Sequence, residues 1–125
     1  NNMPSVQLQV QHRSIPIISE LTHHFYDIPI LHHDSVLGRP PIRGVVHPMY
    51  FITHQHAEEN VADGASKRNV YECQYALQLA NYLVHQGYEK NKITILTTYM
   101  GQRQLIQNTL RNQFPELKGV HITVR

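Results

Sequence analysis

A single cysteine, Cys73, leaves this sequence without the means to form an internal disulfide, which mildly favours a reducing compartment. No apolar run approaches the roughly 20 residues that a membrane-spanning helix needs, so no span is expected. A charged start followed by an apolar stretch and a small-residue cleavage site is also missing, and no signal peptide is expected. Charge is scarce: eleven Lys and Arg against nine Asp and Glu give a net +2, far from the footprint of a protein that holds nucleic acid by bulk electrostatics. Any such contact must be local. No G-x-x-x-x-G-K-[ST] phosphate loop occurs, so the isolated chain is expected not to hydrolyse a nucleotide.

What is present is an ordinary globular composition, 41% hydrophobic and 16% charged, in 125 residues. That length suits one modest domain or part of one. Ten histidines are the compositional oddity, and imidazoles can add positive charge in mildly acidic surroundings, but alone they identify no function. The sequence opens at Asn1 without an initiator Met and stops at Arg125 directly after a strand-like alternation, which reads as a cut from something longer.

Val6, Leu8 and Val10 alternate with Gln7 and Gln9, predicting a first strand that ends near Gln11. Ser14 can cap a helix with Pro16 in its first turn and an apolar stripe of Ile18, Leu21 and Phe25, ending near residues 26–28 because Pro29 follows. Prolines and glycines crowd residues 29–48 and predict a long connection. Met49 to Thr53 form a short aromatic and β-branched run suited to a buried strand, and the polar residues 54–67 form a second loop. Asn69 and Glu72 resemble a capping box at the head of the strongest helix, with Cys73, Ala76, Leu77, Ala80, Leu83 and Val84 in helical period and Gly87 as its C-cap. Residues 93–97 predict the clearest strand; Leu105, Ile106, Leu110 and Phe114 mark a helix stopped by Pro115; Val120, Ile122 and Val124 alternate as a last strand. Strands alternating with helices predict an α/β fold, a parallel sheet with helices on both faces, in one domain covering 1–125.

Ligands of such a sheet bind at the carboxyl ends of its strands, where loops and helix N-termini present donors. That rule selects Gln11, His12 and Arg13, then His54 and His56, then Thr97, Thr98, Tyr99 and Gln102. Gln11 and Arg13 combine an amide with a rigid fork of charged donors, which suits a phosphate group. The plainer alternatives are a surface Arg13 paired with a carboxylate, and a polar turn with Thr98 as N-cap and Gln102 on a solvated face. His54 and His56, with Glu58 or Glu59, could offer three metal ligands, one short of a closed zinc site, and no metal is expected. Cys73 reads as a small apolar residue on a packed helix face rather than a nucleophile.

Val10-Gln11-His12-Arg13-Ser14-Ile15-Pro16 and Ile93-Thr94-Ile95-Leu96-Thr97-Thr98-Tyr99-Met100-Gly101-Gln102-Arg103, read together, resemble the superfamily 1 helicases of the nonsense-mediated-decay and senataxin type. There the two segments run Q-Y-R-M-H-P and T-P-Y-x-x-Q, both in the second RecA-like domain. Ser66, Asn69 and Glu72 look like the family's S-x-x-N-x-x-E run. The chain is similar above all to the branch of large helicases bearing NFX-type zinc fingers, in which L-x-x-Q-H-R and I-T-I-L-T-T-Y-x-G-Q occur together. His12 and Thr98 fit that branch, whereas Ser14-Ile15 replace the Met-His of other relatives.

The resemblance implies an incomplete second RecA-like motor domain of an ATP-dependent RNA helicase, with DNA as the second choice. Arg13 would be its arginine finger, directed at the γ-phosphate of an ATP that, with Mg2+, is bound mainly by the first RecA-like domain of the same chain. Gln11 would help place that loop and share the nucleotide site, and Thr97, Thr98, Tyr99 and Gln102 would meet a single strand of RNA. RNA silencing is the implied setting, in the cytoplasm, in RNA granules or in the nucleus. A non-catalytic RNA-binding or scaffold protein on a degenerate motor domain is the rival reading, raised by Ser14-Ile15.

Overall fold

The computed structural model describes residues 6–61 and 66–125, so part of the second predicted loop, residues 62–65, lies outside the described residues. The chain divides into two compact units, Asn1–Phe51 and Ile52–Arg125.

In the first unit, strands β1 (Val10–Gln11) and β2 (Leu31–His32) pair in parallel, Val10 opposite Leu31 and Gln11 opposite His32. β2 and the short helix α2 (Asp34–Leu37) lie inside the stretch whose prolines predict only a connection. α2 forms there because the His33 ring accepts a hydrogen bond from the Ser35 amide at the helix start and Val36 is fully buried. The predicted first helix is shorter and tighter than its periodicity suggests. α1 (Pro16–Ser19) starts after Ile15, not Ser14, without a side-chain cap, and continues as a 3₁₀ segment, Glu20–Phe25. Thr22, His23 and His24 are indifferent helix formers, the Thr22 hydroxyl donates to the Ser19 carbonyl, and the stripe ends on a Phe25 that is 76% exposed. The predicted strand at 49–53 does not form. Met49, Tyr50, Phe51 and Ile52 are all exposed and no described strand pairs with them, so their β propensity has no ladder to join.

The second unit follows the sequence closely. A small antiparallel pair, β3 (Glu59–Asn60) and β4 (Lys67–Arg68), leads into helix α3 (Val70–His85). Asn69 caps α3 by accepting from the Glu72 amide at 3.1 Å. The helix ends where Gly87 turns to φ +89°, with the Gly87 amide on the Val84 carbonyl and the Tyr88 amide on the Leu83 carbonyl, so the left-handed turn satisfies two orphan carbonyls. β5 (Thr94–Thr97) follows, then α4 (Met100–Gln113), which gives way at Pro115, then β6 (His121–Val124). β5 and β6 are parallel, Thr94 opposite His121 through Thr97 opposite Val124. α3 and α4 pack together over one core of Cys73, Leu77, Ala80, Ile106, Leu110, Leu117 and Val120, with Ile93, Ile95 and Ile122 against it from the strand side. Period two along β5 therefore turns Ile95 inward and leaves Leu96 58% exposed.

The fold is α/β with parallel strand pairs joined through helices. Among the described residues no helix is long and apolar enough to cross a membrane.

Candidate functional site

In the first unit the turn that leaves β1 is held from two sides. Gln11 is half-buried, and its Oε1 accepts the backbone amides of Arg13 and Ser14, each at 2.9 Å. The Nε2 end donates to the Ser14 carbonyl at 2.6 Å and to Nδ1 of His32 at 2.8 Å. From the other side Arg39 donates its Nη1 to the Arg13 carbonyl at 2.5 Å and its Nη2 to the His12 carbonyl at 3.1 Å. Both backbone polar groups of Arg13 are thus bonded, while its side chain is exposed and makes no hydrogen bond or ion pair with another described residue. The His12 ring stacks on His33, centroids 4.1 Å apart. Arg13 and Arg39 line a cleft of about 640 Å³ whose walls include Ile18, Val36, Pro40 and Val45. Arg39 and His32 lie in the predicted connection, and no spacing or motif in that stretch distinguishes them.

In the second unit two motif segments interlock. Gln102, 8% exposed, accepts the Asn69 amide on Oε1 at 2.7 Å and donates from Nε2 to the Asn69 carbonyl at 3.1 Å. The capping box is therefore divided: Asn69 caps as expected, but its own amide goes to Gln102 while Glu72 turns to Nε2 of His54 at 3.2 Å. Gln102 is not on a solvated face. The Asn69 Nδ2 ties the approaching segment down by donating to the His56 carbonyl. Beside it the Gly101 amide donates to the Ser66 hydroxyl at 2.8 Å. A Cβ at Gly101 would come within 2.6 Å of a Val61 methyl carbon and 3.0 Å of the Lys67 carbonyl, so this close approach requires glycine.

The two helix starts so joined border a cleft of about 330 Å³ lined by Lys67, Asn69, Glu72, Thr97, Thr98 and Tyr99 among others. Thr97 is buried at the end of β5 and its hydroxyl donates to the Tyr99 carbonyl at 3.2 Å, which shapes the turn. Thr98 and Tyr99 are exposed. The N-cap of α4 is Tyr99, not Thr98, and no side chain caps that end. Cations at the cleft are matched: Lys67 pairs with Glu58, whose carboxylate raises the Lys67 pKa above its ordinary 10.5, and Arg68 pairs with Glu59 at 3.0 Å. The cleft mixes polar and apolar lining, Ile95 and Ile106 included, and is not strongly positive.

His54 and His56 both lie against the Tyr71 ring, His56 stacked on it at 3.9 Å, and their own centroids are 5.8 Å apart. Among the described residues no group of three or more His, Cys, Asp and Glu could hold a metal ion. Cys73 is buried in the core, and burial pushes its thiol pKa up against a smaller opposing hydrogen bond with Thr109, so it is no ready thiolate.

The AAA domain family matches residues 1–124. Among curated proteins, the NFX1-type zinc finger-containing protein 1 of Mus musculus is 40% identical over 102 residues, covering 81% of this chain and 5% of that protein. The Schizosaccharomyces pombe "Helicase required for RNAi-mediated heterochromatin assembly 1" is 38% identical over 116 residues, 88% of this chain and 11% of its own length. The Saccharomyces cerevisiae ATP-dependent helicase NAM7 is 30% identical over 128 residues, 95% of this chain and 13% of its own. The chain thus spans a small part of each relative's length. It belongs to the AAA domain family, as part of a RecA-like α/β domain of the superfamily 1 helicase type.

Proposed function

We propose that the chain is part of the second RecA-like domain of an ATP-dependent RNA helicase and that Arg13 is its arginine finger. The carrying observation is the doubly held turn. Gln11 and Arg39 fix the backbone of Arg13 and leave its guanidinium exposed, as a group that must reach a phosphate held elsewhere requires. A guanidinium so positioned stabilises charge developing on the transferred phosphoryl without itself taking or giving a proton. ATP and Mg2+ would be held mainly by a first RecA-like domain, and Gln11 would act in the nucleotide site by placing the turn.

Thr97, Thr98, Tyr99 and Gln102 serve the nucleic-acid track in two ways. Thr98 and Tyr99 are exposed where two helix starts border one cleft, and partial positive charge at helix N-termini favours a phosphate backbone. Thr97 and Gln102 are buried and act by shaping that turn. RNA is preferred over DNA because a relative is named for RNAi-mediated heterochromatin assembly, and the setting would be RNA silencing in cytoplasm, granules or nucleus.

Arg13→Ala in the full-length protein is expected to lower RNA-stimulated ATP turnover on the order of 10³-fold or more with little change in ATP affinity. Unchanged turnover would remove Arg13 from the mechanism. Ser14-Ile15 favour a second reading, an RNA-binding scaffold on a degenerate motor; it predicts no RNA-stimulated turnover in the wild-type protein and RNA binding that survives.

A further inference from the structure

We propose that His32 is a positioning residue for the Arg13 turn, acting through Gln11 and only as a neutral imidazole. The inference rests on the reading of Arg13 given above. The Gln11 amide has one orientation that satisfies its four contacts: the oxygen faces two backbone N–H donors, Arg13 and Ser14, and the nitrogen faces two acceptors, the Ser14 carbonyl and Nδ1 of His32. An amide nitrogen can only donate, so His32 must accept at Nδ1 and carry its proton on Nε2. The register supplies the encounter, because Gln11 and His32 are directly opposed in the parallel pair of β1 and β2.

A proton on Nδ1 would set two donors against each other at 2.8 Å. Turning the amide over to meet that proton would face its NH2 toward the Arg13 and Ser14 amides and release both. Protonation of His32 therefore loosens the turn. Among the described residues the titratable ring that stacks on His32 is His23, with centroids 5.8 Å apart and an interplanar angle of 19°. Among the described residues no carboxylate pairs with either ring, and Nε2 of His23 is buried without a partner there. The neutral imidazole of His32 is therefore the form whose Nδ1 can accept from Gln11 and hold the turn. His12 and His33, stacked on each other, and Arg39, on the turn's carbonyls, are the remaining cationic or titratable neighbours of the turn.

The test is hydrogen exchange at the Arg13 and Ser14 amides in the full-length protein, read against the intrinsic rate at each pH, beside ATP turnover. In the wild type, protection at these amides should fall about fivefold between about pH 7.5 and about pH 5.5 as the two bonds from Gln11 are lost. His32→Asn offers an acceptor oxygen near the place of Nδ1 and cannot be protonated in this range; it should keep the protection at both pH values and flatten the acid limb of kcat, leaving the KM for ATP unchanged. His32→Ala should lose protection at every pH. Protection that titrates in His32→Asn as in the wild type, or that survives in His32→Ala, overturns the proposal. The reading of Arg13 fails separately: His32-dependent exchange together with full turnover in Arg13→Ala would leave His32 ordering a turn that chemistry does not use, whereas loss of turnover in Arg13→Ala with no effect of His32 would overturn this inference alone.

Discussion

Gln11 and Gln102 each leave a strand–helix junction with an amide bonded to backbone at both ends, yet the two junctions are built on different supports. Around Gln102 the amide is buried, its partner Asn69 is buried, and the helices it joins share a core of seven side chains. Around Gln11 the amide is half-buried, Val36 is the one buried hydrophobic residue among the described residues of its unit, and the turn is held by hydrogen bonds with Arg39 and His32 beside exposed side chains. Burial makes the first arrangement costly to open, because the released groups have no water to turn to, whereas the second can exchange its partners with solvent. The difference matches the proposed roles: a track ordered by burial in one unit, and in the other a turn fixed by hydrogen bonds at the surface, from which an exposed guanidinium can reach a phosphate.

Removing the two amides should expose that contrast. Gln102→Ala leaves the buried Asn69 N–H unpaired, while the Asn69 carbonyl keeps its bond from the Cys73 amide, and is expected to cost about 1–3 kcal/mol, read as lowered protection of the β5 amides in native-state hydrogen exchange. Gln11→Ala should cost about 1 kcal/mol or less, since water can reach the freed amides. Equal costs would erase the distinction between the junctions.

Gly101→Ala sharpens it further on the second unit alone. The added carbon would sit 2.6 Å from the Val61 methyl carbon, closer than Cβ atoms come, and 3.0 Å from the Lys67 carbonyl, tighter than most contacts, so Val61 and the α4 start must shift apart, at about 1–3 kcal/mol. The same exchange measurement should show β5 loosened and the β1–β2 amides unchanged.

The smallest effect is expected at the rim. The Lys67–Glu58 pair is exposed, and raising the Lys67 pKa means that its contribution is complete below 10.5 and fades only as pH rises through the higher folded value. Stability of the second unit should therefore show no dependence on Lys67 between about pH 7 and about pH 9, and Lys67→Met should leave its denaturation midpoint unmoved. A pH-dependent loss within that window would mean that the cation is engaged more deeply than its exposure indicates.

The second unit was largely legible because its signals reinforce one another. Asn69, Gly87 and Pro115 punctuate helices whose apolar period matches the buried residues, and the alternation around Ile95 and Ile122 matches the strand faces. What single positions could not reveal was pairing at a distance: that Gln102 would take the Asn69 amide expected for Glu72, or that Gly101 meets Val61, Ser66 and Lys67 from far earlier in the chain. In the first unit local propensity misled in both directions. Met49 to Thr53, which cross into the second unit, have strand composition but no partner strand among the described residues, while Leu31–His32 pairs in spite of nearby prolines because its partner is at hand. The Gln11 and Arg13 turn could be marked from its residues and its resemblance, but the groups that hold it, His32 and Arg39, are placed by tertiary structure alone.

Affinity for a transition-state analogue tests the account most directly. Full-length protein and its Arg13→Ala variant would be compared, with RNA present, for binding of Mg-ADP and of Mg-ADP with aluminium fluoride. ADP is expected to bind both equally, and the variant to bind the fluoride complex on the order of 10²-fold or more weakly, because the guanidinium acts on charge that only the transferring phosphoryl carries. Equal affinity of both proteins for the fluoride complex would contradict the account.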